Sequence, residues 1–166
     1  MANVCVITGG GSGMGLEAAK LMKDKIVVVS GRTEAKLEKA VAELKALGIT
    51  AYAKACDTSK RESVQALAEF AASLGEINSA GLSPAMAKPE TILRVNALGT
   101  VYINQEFSKR MKAGSVIVDV ASNSAYVLPN FLINKKVYAL ADTDEAKFLQ
   151  KLLKKSSLAK GDYQRS

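Results

Sequence analysis

A glycine-rich segment at residues 8–15 carries the strongest chemical signal in this sequence of 166 residues. It follows a β-branched run and leads directly into a helical pattern. Glycine fits where a backbone turns with positive φ, approaches a phosphate closely, or lets a helix pack against a strand. Such a cluster can also serve only as a turn, but its place between a strand and a helix favours phosphate binding. We therefore predict a dinucleotide-binding turn formed by Thr8, Gly9, Gly11, Ser12, Gly13, Met14 and Gly15.

Strand-like and helix-like segments alternate along the chain, as in proteins whose parallel sheet is covered by helices. The predicted strands are residues 4–8, 25–30, 50–56 and 115–120, and the predicted helices are residues 15–23, 34–47 and 59–74. The second strand is apolar almost throughout, which is typical of a strand buried on both faces. We predict one α/β domain over residues 1–166, with a doubly wound parallel sheet and helices on both faces.

Composition excludes several other classes of protein. Hydrophobic residues make up 48% of the chain and charged residues 23%, which suits a globular core rather than a disordered chain. The absence of histidine removes His-based triads and zinc sites, and two cysteines form no disulfide framework. No apolar run is long enough to span a bilayer, and the first residues do not resemble a signal peptide. We expect no metal site, no membrane partner and a cytoplasmic location.

The net charge of +7 raises the alternative of a nucleic-acid-associated protein. Residues 135–166 contain eight basic and four acidic residues, and so contribute +4 of this excess. They show no aromatic interleaving suited to base stacking and no recognisable DNA-binding motif. A solvated helix face explains the charge better, and we expect no nucleic-acid partner.

The spacing Thr-Gly-x-x-x-Gly-x-Gly at residues 8–15 resembles the signature of the short-chain dehydrogenase/reductase family. Further matches follow in the family's order. Asp57, with Cys56 and Thr58 beside it, resembles the acid on the adenine side of the cofactor site. Residues 78–81 resemble the Asn-Asn-Ala-Gly motif, which implies cofactor-binding roles for Asn78, Ala80 and Gly81. The resemblance implies a Rossmann-type fold and an oxidoreductase that uses NADP or NAD to act on a small-molecule alcohol or carbonyl substrate.

The resemblance also implies catalytic residues. Asn96 and Ser122 fall on the asparagine and serine of the family's catalytic tetrad. In the family, a lysine follows the tetrad's tyrosine by four residues. Tyr163 is our candidate for this tyrosine, although the position of its lysine would fall one residue after Ser166. We expect that the chain lacks the C-terminal part of the family's sheet. The alternative is a catalytically inactive dinucleotide-binding module.

Residues 130–162 are predicted to form a helical insert before the catalytic tyrosine. Within it, residues 142–155 place acids first and lysines last, as the helix dipole favours. An insert at this place resembles the branch that contains 3α-hydroxysteroid dehydrogenase and coniferyl alcohol dehydrogenase. That resemblance implies a steroid or aromatic alcohol as substrate and an insert near the substrate cleft. We expect the full-length protein to be a homo-oligomer.

We have one further expectation for the strand that precedes residues 78–81 and one for the strand around residues 116–118. Only Glu76 and Ile77 separate Gly75 from the motif at residues 78–81, whereas a central strand needs about five residues. We therefore expect a break in the chain near Ile77 and Asn78. The strand around residues 116–118 is expected to be an unprotected edge of the sheet.

The end of the second strand, Ser30, Gly31, Arg32 and Thr33, bears on the choice of cofactor. Family members that prefer NAD usually place an acid where this chain has Gly31. The Arg32 guanidinium suits a 2′-phosphate, and no carboxylate stands there to repel one. We expect a preference for NADP over NAD, although such an arginine can also stack on adenine when NAD binds.

Overall fold

The computed structural model describes residues 2–82, 89–121 and 135–163, which contain a five-stranded parallel sheet. Its strands are β1 (Asn3–Thr8), β2 (Ile26–Gly31), β3 (Ala51–Ala55), β4 (Glu76–Leu82) and β5 (Val116–Asp119). Their order is β3-β2-β1-β4-β5, so the chain builds outward from β1 in both directions. The carboxyl end of β1 is therefore the topological switch point, where ligands bind in doubly wound sheets.

Helices cover both faces of the sheet, which confirms the predicted fold class. They are α1 (Gly13–Lys20), α2 (Glu34–Ala46), α3 (Arg61–Leu74), α4 (Pro89–Leu93), α5 (Gly99–Ser108), α6 (Lys135–Tyr138) and α7 (Glu145–Tyr163). A π-helical segment, Arg94–Leu98, joins α4 to α5, and a 3₁₀ turn, Ala139–Ala141, follows α6. Among the helices of the described ranges, none has the length and apolar character needed to cross a membrane.

The alternation of side chains along the strands produces a two-sided core. In β1, Val4 and Val6 pack beneath α3 and α5, whereas Cys5 and Ile7 pack beneath α1 and α2. The face of α3 that packs on the sheet is fully buried and consists of Val64, Leu67, Ala68 and Ala71. Because the sheet is covered on both sides, its central strands β1 and β2 are buried almost throughout.

The expected break before Asn78 is wrong, because β4 runs without interruption from Glu76 to Leu82. Residues 78–81, whose motif we expected to follow the strand, instead form most of β4. The pairing with β1 shifts after Ile77, since Val4 lies opposite Ile77 and Cys5 lies opposite Ser79. Pairing on both sides, with β1 and with β5, stabilises extended backbone in a segment of low intrinsic strand propensity.

The expected edge position of β5 is confirmed by the strand order. Val116 and Val118 are 55% and 57% exposed, whereas Ile117 between them packs against the core beneath α3 and α5. One face of β5 is thus apolar and open to solvent in the part of the chain that the structure describes.

Helix α7 is attached to α3 and α5 by a polar group that we call the Arg61 cluster, comprising Arg61, Tyr102, Gln105, Glu106 and Glu145. The Arg61 guanidinium donates to Glu106 Oε1 at 3.0 Å and to Gln105 Oε1 at 2.8 Å, and it also contacts Glu145. The same guanidinium lies 4.5 Å from the ring centroid of Tyr102, whose hydroxyl donates to Glu145 Oε2 at 2.8 Å. One arginine of α3 therefore contacts both other helices.

The pKa values of Tyr102 and Glu106 in the Arg61 cluster are shifted in ways that follow from their partners. Burial, together with the hydrogen bond to Glu145, raises the pKa of Tyr102 to about 12, so this hydroxyl stays a donor at neutral pH. The pKa of Glu106 is lowered by its hydrogen bond to Lys109, and Arg61 and Arg110 act in the same direction. Glu106 is only 2% exposed, and three cations compensate its buried charge.

Apolar contacts complete the attachment of α7. Phe148 and Leu149 are buried in the same core as Ile103 and Phe107 of α5. The predicted helix at residues 142–155 is therefore present, begins three residues later and extends to Tyr163. The position of the insert beside a substrate cleft stays a prediction.

Arg61→Ala tests the attachment of α7. The variant should lower the free energy of unfolding by about 2–3 kcal/mol, because it leaves the buried Glu106 with two of its three cations. Chemical denaturation followed by circular dichroism measures this loss. Arg94→Ala is the control, since Arg94 pairs with Glu90 on the surface and its loss should cost less than about 1 kcal/mol. Equal effects of the two substitutions would contradict the assigned role.

Candidate functional site

A cavity of about 420 Å³ lies at the carboxyl ends of β1 and β2, at the topological switch point of the sheet. It brings together the glycine turn, the end of β2, the first turn of α2 and the residues that follow β3. Its lining consists of Thr8, Gly9, Gly11, Ser12, Gly13, Met14, Ser30, Gly31, Arg32, Thr33, Lys36, Leu37, Cys56, Thr58 and Val95. Among the described residues, this lining contains two basic side chains and no acidic one.

Glycine is required in this turn for a conformational and for a steric reason, of which Gly13 and Gly15 are respective examples. Gly13 has φ +56°, a left-handed conformation that non-glycine residues rarely adopt. A Cβ on Gly15 would lie 2.7 Å from the carbonyl oxygen of Gly9, so any side chain there forces the backbone apart. Gly15 is buried in the first turn of α1, and it therefore sets how closely this helix approaches the end of β1.

The end of β2 holds the turn in place and forms a second wall of the cavity. The Gly10 N–H lies 3.2 Å from both Ile7 O and Ser30 O, which fixes the glycine turn to β1 and β2 at once. The Ser30 side chain is completely buried, and its hydroxyl makes no hydrogen bond with any described residue. Arg32 is exposed and forms no ion pair with any residue in the described ranges. This wall thus offers an unpaired cation beside a glycine.

The segment after β3 is held from two sides. The Asp57 N–H donates to Ser63 Oγ at 3.0 Å, and Asp57 Oδ1 accepts hydrogen bonds from the N–H and the hydroxyl of Ser59. Asp57 Oδ2 is left without a hydrogen-bond partner among the residues described. Thr58 packs against Gly99, where an added Cβ would lie 3.0 Å from Thr58 O. Helices α3 and α5 together therefore fix this wall.

Cys56, also in this wall, is 4% exposed, and burial raises the pKa of its thiol. The side chain is therefore a neutral thiol at physiological pH, as expected for a cysteine that serves as a small packed residue rather than as a nucleophile.

The other predicted site residues lie outside the described lining of the cavity, although several are adjacent to it in the fold. Asn96 lies in the π-helical segment next to Val95, and its carbonyl oxygen accepts a hydrogen bond from Thr100 Oγ1 at 2.8 Å. π-Helical turns are frequent at functional sites. Asn78, Ala80 and Gly81 are strand residues of β4, whose backbone alone the structure describes. Tyr163 ends α7, with its backbone alone described.

The predicted catalytic Ser122 lies outside the described residues, the nearest of which is Ala121. The assembly of Asn96, Ser122 and Tyr163 into one catalytic group therefore stays a prediction.

Sequence reasoning missed three residues of the cavity lining, namely Lys36, Leu37 and Val95. Lys36 and Leu37 were considered only as part of a helix. A usable signal was present, because Lys36 lies in the first turn of the helix that begins directly after Arg32 and Thr33, so that the two cations can share one edge of the cavity. Val95 was hidden by the unpredicted π-helical turn.

Comparisons with other proteins give the same classification. A sequence profile described as short chain dehydrogenase matches residues 3–139. "Short-chain dehydrogenase/reductase bsc3" of Alternaria brassicicola is 31% identical over 152 residues, which are 89% of this chain and 55% of bsc3. The apo form of LigD from Sphingobium sp. strain SYK-6 has a TM-score of 0.71 and 30% identity, covering 76% of this chain and 62% of LigD. The citronellol catabolism dehydrogenase AtuB of Pseudomonas aeruginosa PAO1 has a TM-score of 0.67 and 29% identity, with coverages of 77% and 59%.

This chain belongs to the short-chain dehydrogenase/reductase family, as its motifs implied. It spans little more than half of the length of the curated relative bsc3.

Gly15→Ala tests the geometry of the turn. The new methyl group meets the Gly9 carbonyl, so the turn must shift, and affinity for a nicotinamide dinucleotide should fall at least about tenfold, or about 1.4 kcal/mol. Titration of NADPH fluorescence measures the change, with circular dichroism to confirm folding. Lys39→Ala is the control, because Lys39 is exposed on α2 outside the described lining of the cavity, and this variant should bind within about twofold of the wild type. Unchanged affinity in the Gly15 variant would show that the turn does not contact the dinucleotide.

Proposed function

We propose that the protein is an NAD(P)-dependent oxidoreductase, which transfers a hydride between a nicotinamide cofactor and the carbon of an alcohol or carbonyl substrate. The observation that carries the proposal is the cavity at the switch point, where a glycine turn meets the basic side chains of Arg32 and Lys36. Such a lining suits a ligand with several phosphate groups. The chain spans 55% of bsc3, and our proposal extends to the activity of the whole protein.

The residues of the cavity fit a dinucleotide part by part. The pyrophosphate would lie on the backbone of the turn between Gly9 and Gly15, at the N-terminus of α1. The adenosine ribose would lie beside Gly31 and Arg32. The adenine would lie beside Asp57, whose unoccupied Oδ2 would accept a hydrogen bond from the adenine amino group. When bound, the nicotinamide ring supplies or accepts the hydride.

We assign the roles at the substrate from the family resemblance. Ser122 would donate a hydrogen bond to the substrate oxygen and stabilise its developing negative charge. Asn96 would help to hold a water molecule through which a proton moves. Tyr163, or a tyrosine that follows Ser166, would give or take the proton at the substrate oxygen, with a lysine one helical turn further on to stabilise its anion.

Arg32 supports a preference for NADP over NAD, because its guanidinium faces no carboxylate among the described residues and can pair with a 2′-phosphate. The helical segment over residues 135–163 supports, by analogy with the insert-containing branch, a steroid or aromatic alcohol as substrate.

We propose a homo-oligomer for the full-length protein. No observation favours the alternative of an inactive dinucleotide-binding module.

Binding and turnover together test the proposed function. NADPH should bind more tightly than NADH, by about tenfold if one guanidinium–phosphate pair decides the preference. NADP⁺ should be reduced when the full-length protein is mixed with steroidal or benzylic secondary alcohols, as followed by nicotinamide fluorescence. The Gly15→Ala variant is the control for specific binding. Tighter binding of NADH would overturn the cofactor preference, and tight binding with no turnover in either direction would favour the inactive module.

A further inference from the structure

The first turn of α2 contributes a second cation to the cavity, and no motif of the sequence draws attention to it. Lys36 lines the cavity together with Arg32, four residues earlier in the chain. Both side chains are exposed, and neither forms an ion pair with any residue that the structure describes. Many other cations of the described chain are paired, including Lys20, Lys109 and Lys112.

The backbone of the glycine turn fixes the position of Lys36. An added Cβ on Gly11 would lie 3.4 Å from the Cβ of Lys36 and 3.3 Å from Leu37 Cδ2. The glycine turn therefore lies close to the first turn of α2, and Lys36 lines the cavity from that turn. Leu37 is 2% exposed and anchors this turn of α2 in the core.

The acidic residues of α2 lie outside the described lining of the cavity. Glu34 and Glu38 are exposed on the same helix, but neither lines the cavity. A doubly charged phosphate monoester at the end of β2 would thus meet two cations and no nearby carboxylate of the lining.

We propose that Lys36 acts with Arg32 as a specificity-determining residue that binds the 2′-phosphate of NADP. The inference rests on the proposed function, since it concerns the cofactor of that same site. Arg32 presents a planar fork of donors, whereas Lys36 is a point charge on a flexible stem that adjusts to the phosphate. Because NAD lacks the 2′-phosphate, Lys36 contributes to binding of one cofactor and not of the other.

Lys36→Gln removes the charge and keeps most of the side chain. We expect the dissociation constant of NADPH to rise about fivefold to tenfold at low salt, and that of NADH to change by less than about twofold. Lys39→Gln is the matched control, because Lys39 is exposed on the same helix but does not line the cavity. It should leave both constants within about twofold of the wild type. The effect of Lys36→Gln should also shrink as salt concentration rises.

The outcomes separate this inference from the proposed function. Wild-type protein that binds neither NADPH nor NADH would overturn the proposed function and the inference with it. Normal binding of both cofactors, with no change in Lys36→Gln, would overturn the inference alone. Equal weakening of NADPH and NADH in that variant would also overturn it, because Lys36 would then act on the position of α2 rather than on the 2′-phosphate.

Discussion

The contact between Gly15 and the carbonyl of Gly9 is the constraint on which the candidate site depends. A Cβ at Gly15 would lie 2.7 Å from that oxygen, so the start of α1 can lie against the end of β1 only without a side chain. The Gly10 N–H, close to both Ile7 O and Ser30 O, then connects the turn to two neighbouring strands. Free N–H groups at the start of α1 thereby lie beside the end of β2 and the cations that follow it.

The Arg61 cluster and the cavity differ in whether their basic side chains are paired with carboxylates. In the Arg61 cluster, the buried Glu106 meets three cations, so the charges are neutralised inside the fold and hold α3, α5 and α7 together. At the cavity, Arg32 and Lys36 have no carboxylate partner in the described ranges. The first arrangement stabilises the fold, whereas the second leaves positive charge available for an anionic ligand.

Local signals made the amino-terminal half of the fold predictable. The glycine turn, the apolar β2 and the helix at residues 59–74 are all encoded within short windows, and each was found close to where it was expected. The strand β4 was misread, because the family motif at residues 78–81 was expected to follow the strand, whereas pairing on both sides holds these residues extended within it.

The carboxyl-terminal half depends on contacts distant in sequence. The amphipathic pattern of α7 predicted a helix with a buried face, but not that Glu145 would contact Arg61, 84 residues earlier. The π-helical turn that carries Asn96 adds a residue to a helical turn, which a pattern of period 3.6 does not register. Lys36 was overlooked because its role depends on the approach of Gly11, which brings α2 to the edge of the cavity.

The most direct test of this account is a map of backbone amide chemical shifts in the protein, recorded by NMR with and without saturating NADPH. The account predicts that the largest changes fall in three separate segments, residues 9–15, 31–37 and 56–58, with little change along residues 145–154 of α7. Changes confined to α7 or to the exposed edge at β5, or no change at saturation, would contradict the claim that the cavity at the switch point binds a dinucleotide.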